Sequence, residues 1–226
     1  MTDMIAPEGD EEKGRTRRSF LGRTLAATAA VPAALAATGE AHAAGRGGNL
    51  PNLYPGWDAS RFKEIRANEN YHLQTLLQAL GPNARPRPTF QNVVANNPYQ
   101  LAFLGASFCN TGAGAYLGSG PYIFDKTNLI VGSSFGQVEA YQSGWLNSVL
   151  NGPIVPGNLP YSLALPPQVV AQRIAPYLVS LNGGPPATYD TTPSPDNDIA
   201  ILNFALILEY LENELYNTYV PRFYGN

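Results

Sequence analysis

The sequence of 226 residues holds one cysteine, two histidines and few charges: 14 Lys and Arg against 17 Asp and Glu, a formal net charge of −3. Each shortage excludes something. A single Cys109 forms no intrachain disulfide, and zinc sites built on two or more cysteines are ruled out. Without a basic excess there is nothing to release phosphate counterions, so nucleic acid is not expected as a partner. Charged residues make up only 14% and hydrophobic ones 44%, a composition that suits one packed domain and not a disordered chain. No Asp or Glu occurs between Asn70 and Phe124, and no β-branched run alternates with period two.

Residues 1–43 are expected to be an export signal and not part of the fold. Arg17-Arg18-Ser19-Phe20-Leu21 resembles a twin-arginine motif. The Ala-rich run Leu25 to Thr38 that follows is shorter than the roughly 20 apolar residues that span a bilayer, so no membrane span is expected in the mature form. Ala41-His42-Ala43 fits a small-x-small cleavage site, which leaves residues 44–226 as the mature domain with one histidine, His72. Such a signal implies a periplasmic or extracellular protein that crosses the membrane already folded.

Within the mature chain, Asp58 is the expected N-cap of a helix from Ala59 to Leu80, whose apolar Phe62, Ile65, Leu73, Leu76, Leu77 and Leu80 recur at three- and four-residue spacing. Pro82 to Asn97, with three prolines, reads as an extended crossing without regular structure. A second helix is predicted over Tyr99 to Leu117, with Gly105, Gly112 and Gly114 making room for a close neighbour or a kink. A third starts after Asp125 and ends near Leu150. Asn151 to Pro195 is a long linker holding one short helix, Gln168 to Leu181, and the last helix runs from Asp196 to Tyr219, apolar on nearly every face from Ile199 to Leu208. The class is all-α: four helices of about 30 Å, two long crossovers and one extra short helix.

Every mature glutamate lies on a predicted bundle helix. Glu69 and His72 form an ExxH pair on one face of the first helix. Glu139 is followed three residues later by Gln142 on the third. Glu209 follows the apolar run of the last, with Glu212 one turn on. A buried carboxylate needs a metal, a proton or a paired donor. Together these patterns resemble a ferritin-like carboxylate bundle. More closely, Leu208-Glu209-Tyr210-Leu211-Glu212, Glu64 to Gly81, Phe108 to Tyr116 and Val138 to Trp145 are similar to the bacterial ferritin-like proteins exported by the twin-arginine route and related to plant desiccation-associated proteins.

That resemblance implies a ferritin-like four-helix bundle with permuted helix order, because the helix carrying Glu209 usually comes first and here comes last. It also implies an incomplete centre, since Cys109 stands at a family carboxylate position and Gln142 at a family histidine position. Two readings follow. In one, Glu69, His72, Glu139 and Glu209 or Glu212, with Cys109 as an extra soft ligand, hold one iron, manganese or zinc ion. In the other, which the missing ligands favour, the centre is vestigial and holds no cofactor. Its acids are then satisfied by protons or by hydrogen bonds from Gln142, Asn110, Arg66 and tyrosines, and the protein serves a non-catalytic structural or stress-associated role with a protein partner or a second copy of itself. No catalytic residue is assigned in either reading.

Overall fold

The computed structural model describes residues 48–225; the predicted export signal lies outside them. Among the described residues five α-helices dominate: α1 Trp57–Leu80, α2 Pro98–Ser119, α3 Lys126–Val149, α4 Pro167–Ile174 and α5 Pro195–Tyr224. Two short strands, β1 Thr89–Phe90 and β2 Leu178–Ser180, form an antiparallel ribbon. The described residues form an all-α bundle, as the helical periodicity implied, and a ferritin-like one, as the resemblance implied.

Local chemistry sets the helix ends. Asn97 caps α2 by accepting from Gln100 N, and Pro98 begins that helix with its φ already suited to it. Asp125 caps α3, its side chain accepting from Thr127 N and Asn128 N, as expected. Ser194 caps α5. The expected cap of α1 is corrected: Gly56, at φ +80°, precedes the helix, and Asp58 sits in its first turn, accepting from Ala59 N at 2.9 Å, where the helix dipole favours a negative charge.

The crossover from Gly81 to Asn97 and the linker from Asn151 to Ser194 are less irregular than expected. The short linker helix ends at Ile174, and Leu178–Ser180 then pairs with Thr89–Phe90, so the ribbon ties the two long connections to each other. Strands of two and three residues leave no period-two pattern to read. A second tie is Asn203 on α5: it accepts from Arg85 N at 2.7 Å and donates to Asn83 O at 2.9 Å, holding the start of the crossover against α5.

Helix α1 packs on α5 and α2 packs on α3, and the two pairs meet along α2 and α5. These two inner helices are buried on nearly every face: α5 is buried from Asn203 to Asn213 without interruption. The outer helices bury single stripes, Phe62, Ile65, Glu69, His72, Leu73, Leu76 and Leu80 on α1, and Gly132, Phe135, Glu139, Gln142 and Leu146 among others on α3. The ionisable residues therefore stand on the core-facing stripes, at positions that a hydrophobic residue would otherwise fill.

The glycines of α2 are room for side chains and for a linker segment. A Cβ at Gly105 would stand 2.3 Å from the Tyr216 hydroxyl, and one at Gly112 3.0 Å from Glu139 Oε2. At Gly114 the neighbour is Leu165, whose backbone N–H also donates to Gly114 O at 2.9 Å. No helix among the described residues is long and apolar enough to cross a membrane.

Candidate metal centre

Three carboxylates from three helices converge on one imidazole. His72 Nδ1 lies 3.5 Å from Glu69 Oε2, 3.6 Å from Glu139 Oε1 and 3.5 Å from Glu209 Oε2. All four side chains are buried, with Glu69 and Glu139 wholly inaccessible and Glu209 and His72 exposed by 1% and 2%. Their ligand atoms lie within 4.8 Å of one another. Phe135 stacks on the imidazole at 4.1 Å between centroids, fixing the ring plane. The Tyr116 hydroxyl donates to Glu209 Oε1 at 2.5 Å, which leaves Oε2 turned to His72.

What is missing around these acids decides how they are satisfied. Both oxygens of Glu69, both of Glu139, both of Glu212, Glu209 Oε2 and His72 Nδ1 have no hydrogen-bond partner among the described residues. The donors suggested by the sequence work elsewhere. Arg66 donates to Asn217 at 2.7 Å and Asn110 to Asn147 at 3.4 Å, while Gln142 Nε2 reaches no acceptor. Of the anticipated donors only a tyrosine serves, and it serves Glu209 alone.

A second buried group lies beside the first: Cys109, Glu139 and Glu212, again with ligand atoms within 4.8 Å of one another. Cys109 Sγ lies 3.3 Å from Gln142 Oε1 and 3.5 Å from the Tyr216 hydroxyl. Two sequence expectations change here. Glu212 is no substitute for Glu209: both are buried at 1% exposure, Glu209 toward His72 and Glu212 toward Cys109. Cys109 does not join the His72 group, and Gln142 accepts from the Cys109 thiol.

The electrostatics follow from burial. Desolvation first, and then the neighbouring Glu139 charge, hold the Glu69 and Glu212 carboxyls well above the usual carboxylate range; burial raises Glu139 too. For His72 burial favours the neutral ring, but the pull of Glu139, Glu209 and Glu69 outweighs it and the imidazole is pushed up to about 12. Burial, reinforced by Glu139 and Glu212, raises the Cys109 thiol. The metal-free cluster therefore holds its protons to higher pH than the unfolded chain does.

Two ligands each about 2.1 Å from a tetrahedral ion stand about 3.4 Å apart. The 3.5–3.6 Å separations around His72 Nδ1 match that edge, and the donor set of one imidazole and three carboxylates suits iron, manganese or zinc. The residues present therefore fit an ion at this position.

Sequence reasoning missed Tyr116, Phe135 and Tyr216 as parts of the site. The signal for two of them is helical spacing: Tyr116 follows Cys109 by two turns on α2, and Tyr216 follows Glu212 by about one on α5.

A family model described as a ferritin-like domain (Ferritin_2) matches residues 24–152, more than half of the chain. The match ends before α5. No curated protein and no solved structure matches the chain.

Proposed function

The chain belongs to the ferritin-like domain family, and on that footing we propose that it is an exported bundle protein that binds a divalent metal ion, iron, manganese or zinc, through Glu69, His72, Glu139 and Glu209. One observation carries the reading: carboxylates from α1, α3 and α5, all but one of their oxygens without a hydrogen-bond donor among the described residues, surround a single imidazole nitrogen at 3.5–3.6 Å. The hydrogen bonds that a vestigial centre would need from Gln142, Asn110 and Arg66 are absent among the described residues: Arg66 and Asn110 donate elsewhere and Gln142 Nε2 reaches no acceptor. Burying this many unpartnered carboxylates is destabilising unless a cation compensates them. When bound, the ion supplies that charge, and iron or manganese also a one-electron couple. The residues of the chain hold it: Tyr116 orients Glu209, Phe135 orients His72, and the apolar faces of α2 and α5 exclude water.

Export is the second part of the proposal. The Arg17-Arg18 motif and the Ala41-His42-Ala43 site support twin-arginine export to the periplasm or beyond, a route compatible with an ion loaded before crossing. The Leu208-to-Glu212 string supports kinship with the desiccation-associated branch. A permuted helix order is supported by a family match that stops at residue 152 while Glu209 is supplied by α5. No reaction is assigned, since Cys109 and Gln142 stand where a two-ExxH di-iron centre needs a carboxylate and a histidine.

Thermal unfolding of chelated protein across pH tests the metal reading. Glu69, Glu139 and Glu212 are raised, so above the ordinary carboxylate pKa near 4.5 the folded state binds more protons than the unfolded one, and stability falls as pH rises. The contribution of His72 is present below the unfolded value near 6.5 and is lost toward its folded value of about 12, with the same sign. The metal-free midpoint should therefore drop between pH 5 and pH 8. Mn(II) or Fe(II) at 100 times its dissociation constant should restore about 2.7 kcal/mol, or about 5–11 °C at roughly 2–4 °C per kcal/mol. At one fixed metal concentration the increment should grow with pH, because protons compete with the ion. No increment at any pH contradicts the proposal.

A further inference from the structure

Helices α1 and α3 run antiparallel along one side of the bundle. Phe62, early in α1, packs edge-on against Trp145, late in α3, and Tyr71 meets Phe135 midway, with ring centroids 5.1 and 6.4 Å apart. The two long connections are fastened elsewhere: Arg85 and Val93 bond to α5, and Leu165 bonds to α2. The outward side of α1 and α3 is left open, and large side chains stand on it, Tyr71 exposed by 67%, Ile130 by 69% and Tyr141 by 73%. On α3, Ile130, Ser134, Gln137 and Tyr141 recur at three- and four-residue spacing as one exposed stripe; on α1, Tyr71 and Gln74 stand on another. Charge is missing from this side. From Thr127 to the end of α3 the single Asp, Glu, Lys or Arg is the buried Glu139, and between Glu69 and Arg85 there is none. The charges that frame the face, Arg61 and Glu64 at one end and Lys126 at the other, belong to the first turns of the two helices.

We propose that this charge-free face is a docking surface for a second copy of the chain, which packs its own α1 and α3 against it across a two-fold axis. Composition selects that occupant. Interface cores are depleted in charge and enriched in tyrosine, with a polar rim, and that is the layout here. Set against itself, the face leaves no charge buried without a counter-charge, whereas an ionic partner would lose water from its charges and find nothing to answer them. Shape agrees, because α1 and α3 are both 24 residues long and run in opposite directions, which suits a self-complementary contact that closes at two copies. The area suffices as well: two helices of about 36 Å lying side by side, roughly 20 Å across, present about 700 Å², near the roughly 800 Å² that each partner of a standard interface buries. Tyr71 and Tyr141 are the anchors, since tyrosine offers a large contact area at low entropic cost. The proposal does not depend on the metal reading.

Sedimentation equilibrium of the chelated full chain tests this, and with metal removed the outcome is separate from that of the metal proposal. The wild type should sediment as twice its 24.3 kDa mass from the micromolar range upward. Tyr141→Arg and, independently, Ile130→Arg each put a charge into the contact with no counter-charge opposite, and should weaken association by at least about 100-fold. Both side chains are exposed in the single chain, so the helical circular dichroism of each variant should match the wild type. Val179→Arg, on β2 and 56% exposed, is the control and should dimerise as the wild type does. A wild type that stays monomeric at every concentration overturns the proposal. So does a dimer that survives both substitutions on α3, which would place the contact on another face.

Discussion

Glu69→Gln is expected to make the metal-free protein more stable and to remove its response to metal. Glu69 is wholly buried, neither oxygen has a donor among the described residues, and burial together with Glu139 raises its carboxyl well above the usual range. An amide of the same shape is neutral without binding a proton, so it removes the cost of protonating or desolvating the carboxyl at neutral pH. At neutral pH the midpoint of chelated protein should rise by about 2–4 °C per kcal/mol, while the increment on adding Mn(II) falls to near zero. A residue kept for folding would show the opposite sign. Calorimetry of both proteins, with and without chelator, is the check; a less stable chelated variant would argue that Glu69 has a partner in the fold.

Gly118→Ala should be among the most damaging single-methyl additions in the molecule. A Cβ at this position would stand 2.1 Å from the Leu165 carbonyl oxygen, 2.8 Å from its carbonyl carbon and 2.9 Å from its amide nitrogen. These are backbone atoms of a segment already fixed by the Leu165 N–H bond to Gly114 O and by a Leu165 side chain at 2% exposure. No rotamer change relieves the clash, so either the linker lifts from α2 or the helix shifts. The expected loss is about 3 kcal/mol, the upper end of ordinary overpacking. Gly132→Ala is the control. It lies inside α3, and its nearest neighbour would be the Tyr116 Cδ1 at 3.6 Å, so it should be neutral or stabilising by up to about 1 kcal/mol. Urea midpoints for the two variants decide the matter, and a change at position 118 no larger than that at 132 would show that the linker is not seated on α2.

The acids were legible in the sequence because glutamate is scarce and each one sits at a helical spacing from apolar neighbours; Glu69 and His72 share the stripe of Phe62, Ile65 and Leu76, so their burial followed from that stripe. Orientation on α5 was not legible. With every face apolar from Ile199 onward, nothing in the pattern says whether Glu209 or Glu212 turns inward, and the structure shows that both do. The ribbon between Thr89–Phe90 and Leu178–Ser180 is too short to carry an alternation, and it depends on two connections meeting that lie far apart in sequence. The roles of Tyr116 and Phe135 likewise depend on α2 and α3 being brought against α5 and α1, contacts that no single-helix pattern encodes.

Elemental analysis of the protein, expressed from the full sequence and compared with Glu209→Ala, tests the central claim most directly. The account predicts at least one equivalent of a divalent transition metal in the wild type and loss of that equivalent in the variant, whose fold α5 still maintains through Leu206, Ile207, Leu211 and Leu215. Wild-type protein with only trace metal, unchanged by the substitution, would contradict it.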